Sequence, residues 1–117
     1  MNKEYTLKEA LEEYLILLKK EEYFDAHEVL EEAWHPLRKA NHPLKNLVKG
    51  LINGAIAFEH IKRNRTDAKR KATTVYKSFE KHKHLLIKGI EHYELFKEAC
   101  EQVTYLHTTN KIYESLP

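Results

Sequence analysis

Two residues that could do chemistry together, His27 and Glu31, lie one helical turn apart in the segment 22–35. On a helical projection they fall on the arc that also carries Leu30 and Trp34, which we expect to face the core. An imidazole and a carboxylate at this spacing can bind one divalent metal ion or transfer a proton. Because an unpaired charge in a protein interior is costly, Glu31 needs a partner on this face.

A second polar stripe runs along the helix that we predict over residues 44–61. Apolar residues occupy the opposite side of that helix, so the stripe is expected to face a neighbouring helix. If that neighbour is the helix of residues 22–35, the spacing permits His27, Glu31, Asn53 and His60 to converge, although it does not prove the contact. The stripe falls within roughly 40° of one line on the projection and consists of Lys49, Asn53, His60 and Asn64.

The three converging side chains suit a metal site. Two imidazoles and one carboxylate, from His27, His60 and Glu31, are typical ligands of zinc or non-haem iron, and manganese is a further candidate. Metal-bound water would then hydrolyse a small substrate, with Glu28 as the proton acceptor and Glu31 as the second catalytic carboxylate. The rest of the predicted pocket consists of Trp34, Asn53 and Asn64.

Two known metal motifs resemble this segment without matching it. In the zincin pattern a second histidine stands where this chain has Glu31, so a zincin protease is not supported. Glu32 and His35 form one Glu-x-x-His motif, whereas ferritin-like dinuclear sites use two. The structural alternative is a core network in which these polar side chains satisfy one another by hydrogen bonds.

The first two helices that must position these residues are marked by a cap and by a proline. Thr6 and Glu9 match the capping-box pattern, and apolar residues at helical spacing then predict a helix over 7–20. The second helix covers 22–35. It is predicted to end before Pro36, because a residue that precedes proline avoids the α region.

Three further helices follow from the same periodicity. The segment 44–61 is apolar nearly all round, as expected of a central helix surrounded by others. Asp67 is a candidate cap for a long fourth helix that ends near Gly89, and a fifth covers about 91–105. A short turn is expected to follow through Ile112 and Leu116.

Composition supports one all-α domain over residues 1–117, a compact bundle of about five helices with a buried central helix. The chain has 42% hydrophobic and 32% charged residues, and only three glycines and three prolines. No apolar run approaches the roughly 20 residues that span a bilayer, and the first residues lack the apolar stretch of a secretory signal. With the lone Cys100, these features predict a cytoplasmic protein without a membrane partner.

Charge is segregated along the chain although the net charge is only +2. Residues 36–90 hold fourteen Lys or Arg and three acidic residues, whereas residues 1–35 hold four Lys and ten acidic residues. Such blocks most often form complementary faces of neighbouring helices. The clusters 62–65 and 69–71 could instead contact phosphates, but no aromatic residues are interleaved with them, which disfavours nucleic acid as a partner.

A family resemblance covers roughly residues 20–75. The run 23–34 reads YFDAHEVLEEAW, and it is followed by Lys49-Gly50-Leu51-Ile52-Asn53, Ala55, Ala57, His60 and Asn64. These residues resemble the prokaryotic domain-of-unknown-function family number three hundred and nine. The resemblance implies an all-helical fold. Because members of the family are sometimes labelled metal-dependent hydrolases, it also implies metal-dependent hydrolysis. It implies a site at His27, Glu28, Glu31, Trp34, Asn53, His60 and Asn64.

This chain departs from the family pattern at four positions. Lys49 and Asn53 stand where glutamines are commoner, and Lys49 would oppose a divalent cation if it pointed into the site. Arg63 and Asp67 replace the usual glycines beside Asn64 and before the fourth helix, which puts a tight, backbone-lined turn there in doubt.

Three functional hypotheses follow, and the residues leave open whether the protein is an enzyme. The leading hypothesis is a metal-binding pocket between the second and third helices that hydrolyses a small substrate. The second is a non-enzymatic module whose basic middle segment binds nucleic acid or an acidic partner. The third is a helical protein that forms homo-oligomers and uses the polar network for packing specificity.

Overall fold

The computed structural model describes residues 6–110, and within them the chain forms five α-helices and no β-strand. The all-α prediction is confirmed. The predicted turn through Ile112 and Leu116 lies outside the described residues. The helices are α1 (Leu7–Lys19), α2 (Tyr23–Lys39), α3 (Lys45–Arg63), α4 (Ala68–His82) and α5 (Tyr93–Thr109), with a 3₁₀ turn at Lys83–Leu85.

Helix α1 begins at the predicted capping box. The Thr6 hydroxyl accepts a hydrogen bond from the Glu9 backbone N–H at 3.1 Å, and the Glu9 carboxylate accepts one from the Thr6 N–H at 3.2 Å. Two amide donors of the first turn are satisfied in this way. The helix ends at Lys19, and two residues later Glu21 adopts a left-handed conformation (φ 60°) that lets the Glu22 N–H donate to the Leu17 carbonyl.

Helix α2 continues through Pro36, so the predicted end at residue 35 is wrong. Proline removes one helical hydrogen bond, but the chain compensates at the end of the helix. The Ala40 N–H donates to the Pro36 carbonyl at 3.0 Å, and the His42 N–H donates to the Leu37 carbonyl at 2.9 Å. Leu37 packs against the core, and its packing holds the extra turn in place.

Helix α3 is the buried central helix that the sequence predicts. It packs against α2, α4 and α5. Two glycines allow the close approach: a Cβ at Gly50 would lie 3.2 Å from the Phe79 Cα of α4, and one at Gly54 would lie 3.1 Å from a Val103 methyl of α5. The helix therefore forms the axis of the bundle.

Helix α4 ends at His82, so the long fourth helix predicted to continue to about Gly89 is wrong. After His82 the chain makes a 3₁₀ turn, and Gly89 then adopts a left-handed φ of 102°. Leu86 and Ile90 still pack against the core, although they do so from an irregular connection. Apolar spacing alone cannot distinguish the two arrangements. Helix α5 is displaced toward the C-terminus relative to its predicted range of 91–105.

The core of residues 6–110 contains apolar, tyrosine and cysteine side chains, and no charged side chain is buried in it. Its largest fully buried members are Tyr14, Phe58, Phe79 and Phe96. Lys19 and Glu98 form an exposed ion pair at 3.3 Å between α1 and α5. Among the described residues, no helix is long and apolar enough to cross a membrane.

Candidate functional site

His27 and His60 line one cavity of about 290 Å³ at the ends of three helices. We refer to it as the His27–His60 cavity. The start of α2 contributes Phe24 and His27, and the end of α3 contributes Ile56, Glu59, His60 and Arg63. The turn after α3 and the start of α4 complete the lining with Arg65, Thr66, Ala68 and Lys71.

Both ring nitrogens of His27 have partners within α2. Nδ1 donates to the Phe24 carbonyl at 2.5 Å, and Nε2 lies 3.4 Å from a carboxylate oxygen of Glu31. The Phe24 ring meets the imidazole edge-on, with 4.9 Å between ring centroids. The Glu31 side chain is 39% exposed, so the expectation that it points into the core is wrong. Because the Glu31 carboxylate is partly hydrated, its charge costs less free energy than a fully buried carboxylate would.

His60 is half-buried and lies in a positively charged environment. Burial lowers its pKa below the ordinary value, and the positive charges of Lys71 and Arg63 lower it further, whereas Glu59 acts in the opposite direction. Each of these three residues also lines the cavity. His60 is therefore neutral near pH 7 and can donate or accept one hydrogen bond at each ring nitrogen, according to its tautomer.

Arg63 connects the charged and aromatic parts of the cavity. Its Nε forms a hydrogen-bonded ion pair with Glu59, four residues earlier on α3. Its guanidinium carbon lies 5.8 Å from the centroid of the Phe24 ring, and the two side chains are 44% and 46% exposed respectively. The rim thus carries a guanidinium that lies over an aromatic ring.

The turn between α3 and α4 contains two residues in the left-handed region. Asn64 (φ 49°) caps the end of α3, and Asp67 (φ 60°) precedes α4. Asp67 makes no side-chain hydrogen bond to the first turn of α4, and its carboxylate instead accepts a 2.9 Å bond from Arg70. The Asp67 side chain therefore makes no hydrogen bond to the first amides of α4, the helix that begins at Ala68 in the cavity wall. Arg63, in contrast, remains helical.

The remaining predicted site residues lie elsewhere. Trp34 is contacted by Lys49, whose Nζ lies 4.4 Å from a ring centroid, and its indole N–H is buried without a hydrogen-bond partner among residues 6–110. Glu28 lines a separate groove between α1 and α2, together with other acidic residues. Asn53 is half-buried on α3, and Asn64 is exposed. The structure thus places His27 and His60 in one cavity and pairs Glu31 with His27, and none of these four residues lines that cavity.

The arrangement does not assemble a set of metal ligands. Within residues 6–110, no group of three or more His, Cys, Asp or Glu side chains could hold a metal ion. His27 and Glu31 supply two donors, but the cations Arg63 and Lys71 line the same cavity and would repel a divalent ion. The metal site stays a prediction, and the local electrostatics favour an anion.

Sequence reasoning missed Phe24, Glu59 and Lys71 as members of the site. Two of them carry a local signal: Phe24 lies three residues before His27, and Glu59 lies four residues before Arg63, so each pair shares a helix face. Lys71 carries none, since its position depends on how α4 packs against α3.

Comparisons with known proteins show the family of the chain. The family described as "Domain of unknown function (DUF309)" matches residues 11–72, which is more than half of the 117 residues. The matched region spans most of α1, all of α2 and α3, and the start of α4. No curated protein and no solved structure matches the chain. The match includes every residue that lines the His27–His60 cavity, and the chain belongs to this family of unknown function.

Proposed function

We propose that the protein binds, in the His27–His60 cavity, a small ligand that joins an anionic group to an apolar or aromatic body. One observation carries the proposal. The lining contains three Lys or Arg side chains and one carboxylate, and that carboxylate, Glu59, is already paired with Arg63. Once this pair is set aside, the positive charges of Arg65 and Lys71 are not balanced by any carboxylate in the lining.

The cationic side of the cavity is formed by Lys71, Arg65 and the N-terminus of α4. Lys71 and Arg65 are exposed, so their side chains can reach a ligand at the mouth. The Ala68 N–H already donates to the Arg65 carbonyl at 2.9 Å, so the α4 N-terminus contributes its partial positive charge rather than a free donor at Ala68. Protonation of His60 would add a further donor and a further charge.

The apolar side of the cavity is formed by Phe24, Ile56 and Ala68. Ala68 is buried, Ile56 is half-buried and packs against the core, and the Phe24 ring remains 46% exposed. An exposed aromatic ring at a cavity mouth is a surface on which a flat ligand can stack. Apolar lining with a few placed polar groups is typical of small-molecule sites.

Hydrolysis of the ligand remains a separate hypothesis. The pair of His27 and Glu31 could orient a proton transfer, because a carboxylate that binds an imidazole fixes the orientation of the ring. The predicted catalytic residue Glu28 lies in another groove and would need a different substrate position. Binding is therefore the function that the geometry supports best.

The test compares phenyl phosphate with benzyl alcohol, which has a similar apolar body but no charge. Binding is followed by ¹⁵N–¹H chemical shifts and by calorimetry, in buffer with a chelator. We expect phenyl phosphate to perturb amides of 59–71 and benzyl alcohol to bind far more weakly. Lys71→Gln should weaken phenyl phosphate binding by about three- to tenfold. Lys77→Gln is the matched control, because Lys77 is exposed on α4 but does not line the cavity.

Two results would contradict the proposal. In the first, phenyl phosphate perturbs residues scattered over the surface and the Lys71 and Lys77 variants respond alike, which is diffuse ion binding. In the second, benzyl alcohol binds as tightly as phenyl phosphate, so that charge contributes nothing at this cavity.

A further inference from the structure

We infer that the ligand is a nucleotide with at least two phosphates, an assignment that rests on the proposed function. The observation behind it is a second cavity of about 260 Å³ that adjoins the first. His60 and Lys71 line both cavities. The second cavity adds Arg70, Thr74 and Val75 from α4. A ligand that fills both cavities can therefore carry one negative charge at the wall formed by His60 and Lys71 and a second one in the second cavity, near Arg70.

The shared wall is the place for the first phosphate. Lys71 is exposed, and His60 is half-buried beside it, so an anionic group above them is reached from either cavity. A compact ammonium group binds a phosphate as a point charge and tolerates several geometries. One bridging group can thus connect the two parts of the ligand.

The second phosphate lies near Arg70, where an exchange of partners is easy. Arg70 binds Asp67 at 2.9 Å, but the two side chains are 67% and 51% exposed, and pairs of this kind contribute little to stability. A phosphate can therefore replace the carboxylate. Because a guanidinium forms two parallel hydrogen bonds with a phosphate, the new pair is the stronger one.

The base occupies the aromatic end of the first cavity. The Arg63 guanidinium lies over the Phe24 ring at the rim, and a flat heterocycle can stack on this pair. The stacking surface and the cationic wall line the same cavity. One nucleotide can therefore contact the first with its base and the second with its first phosphate. A longer single strand needs successive aromatic surfaces. Among the described residues, the other exposed large aromatic is Tyr105, which lines a different cavity on α5.

The test measures dissociation constants for a nucleoside, its monophosphate and its diphosphate, in each of four base series, by calorimetry in chelator-containing buffer. In at least one series we expect the diphosphate to bind about tenfold more tightly than the monophosphate. Arg70→Gln should remove most of that gain and weaken monophosphate binding much less than diphosphate binding. Asp67→Asn keeps a residue that tolerates the left-handed conformation and should raise diphosphate affinity about two- to fivefold. Lys77→Gln should change neither affinity.

Four results separate the possible errors. Equal affinities for mono- and diphosphate, or equal losses on Arg70→Gln, overturn the second phosphate site. If phenyl phosphate binds in a Lys71-dependent way but no nucleotide binds, this inference is overturned and the proposed function remains intact. Absence of binding by every anion overturns both. A single-stranded oligonucleotide that binds far more tightly than the diphosphate shows that the groove serves a polymer, which also overturns the inference.

Discussion

The Tyr14 hydroxyl donates a 2.6 Å hydrogen bond to the Leu51 carbonyl in the centre of the core, across the interface between α1 and α3. Both residues are fully buried. Burial raises the pKa of Tyr14 well above its usual range, so the phenol stays neutral under all physiological conditions. The bond fixes the register of α1 on the central helix.

Replacement of Tyr14 by phenylalanine should lower the free energy of unfolding by about 1 kcal/mol, because one buried hydrogen bond is lost while packing is kept. Urea denaturation followed by circular dichroism measures the change. Tyr105→Phe is the control, since Tyr105 is 62% exposed and should show no loss. Equal stability of the Tyr14 variant and the wild type would mean that the bond contributes nothing.

Gly50→Ala should destabilise the protein by about 1–2 kcal/mol, although alanine is the better helix former. The new methyl would lie 3.2 Å from the Phe79 Cα, so the backbone of α4 must move. At Gly54 the nearest atom is a Val103 methyl at 3.1 Å, which a small side-chain shift can relieve. We therefore expect a smaller loss for Gly54→Ala, and the reverse order would show that α3 and α4 do not touch as described.

An anion in the His27–His60 cavity should raise the pKa of His60, because the imidazolium is favoured by a negative neighbour. By linkage, binding should strengthen as the pH falls through the lowered pKa of His60, where a positive charge is gained beside Lys71 and Arg63. Benzenesulfonate is the suitable probe, since its charge is constant over this range, whereas a phosphate monoester itself titrates near pH 6.

The His60 titration is measured by NMR with and without the probe. His107 provides an internal reference: burial lowers its pKa too, but it stacks on Tyr76, away from the cavity lining. The pKa of His107 should not move. His60→Gln should remove the part of the pH dependence of benzenesulfonate binding that comes from this imidazole. If the pH dependence is the same in the variant, another group is responsible for it.

Metal analysis of untagged protein tests the predicted metal site directly. The electrostatic argument leads us to expect zinc, manganese and iron far below one equivalent, and the same content after replacement of His27 and His60 by alanine. One equivalent in the wild type that is lost in the double variant would restore the metal hypothesis. It would also require that Lys71 and Arg63 turn away from the ion.

The five helices could be predicted from periodicity, but several of their ends could not, above all those of α2 and α4. Pro36 predicts a helix end by its local chemistry, whereas the packing of Leu37 and the bonds around Ala40 outweigh the one bond that proline removes. Beyond His82, Leu86 and Ile90 keep helical spacing although the backbone is irregular. Both errors have one cause, which is that tertiary packing overrides a local signal.

The pairing of His27 with Glu31 follows from helical spacing, whereas the presence of His60 in the same cavity as His27 follows only once α2 is packed against α3. Their exposure does not follow from spacing, because a projection shows which side of a helix a residue occupies but not how far the neighbouring helix covers it. Glu31 lies at the edge of the packed face and is therefore partly hydrated. The contribution of Lys71 required the antiparallel packing of α3 and α4, on which a single sequence gives no direct information.

The position of the cavity at helix ends has a dynamic consequence. Terminal turns are the parts of a fold that open at the lowest free-energy cost, whereas the middle of α3 opens only with the whole core. Amide hydrogens of the last turn of α3 should thus exchange with solvent well before those beside Leu51. A ligand that contacts α2, α3 and α4 at once would slow this fraying, so occupancy can be read from hydrogen exchange even when the average coordinates do not change.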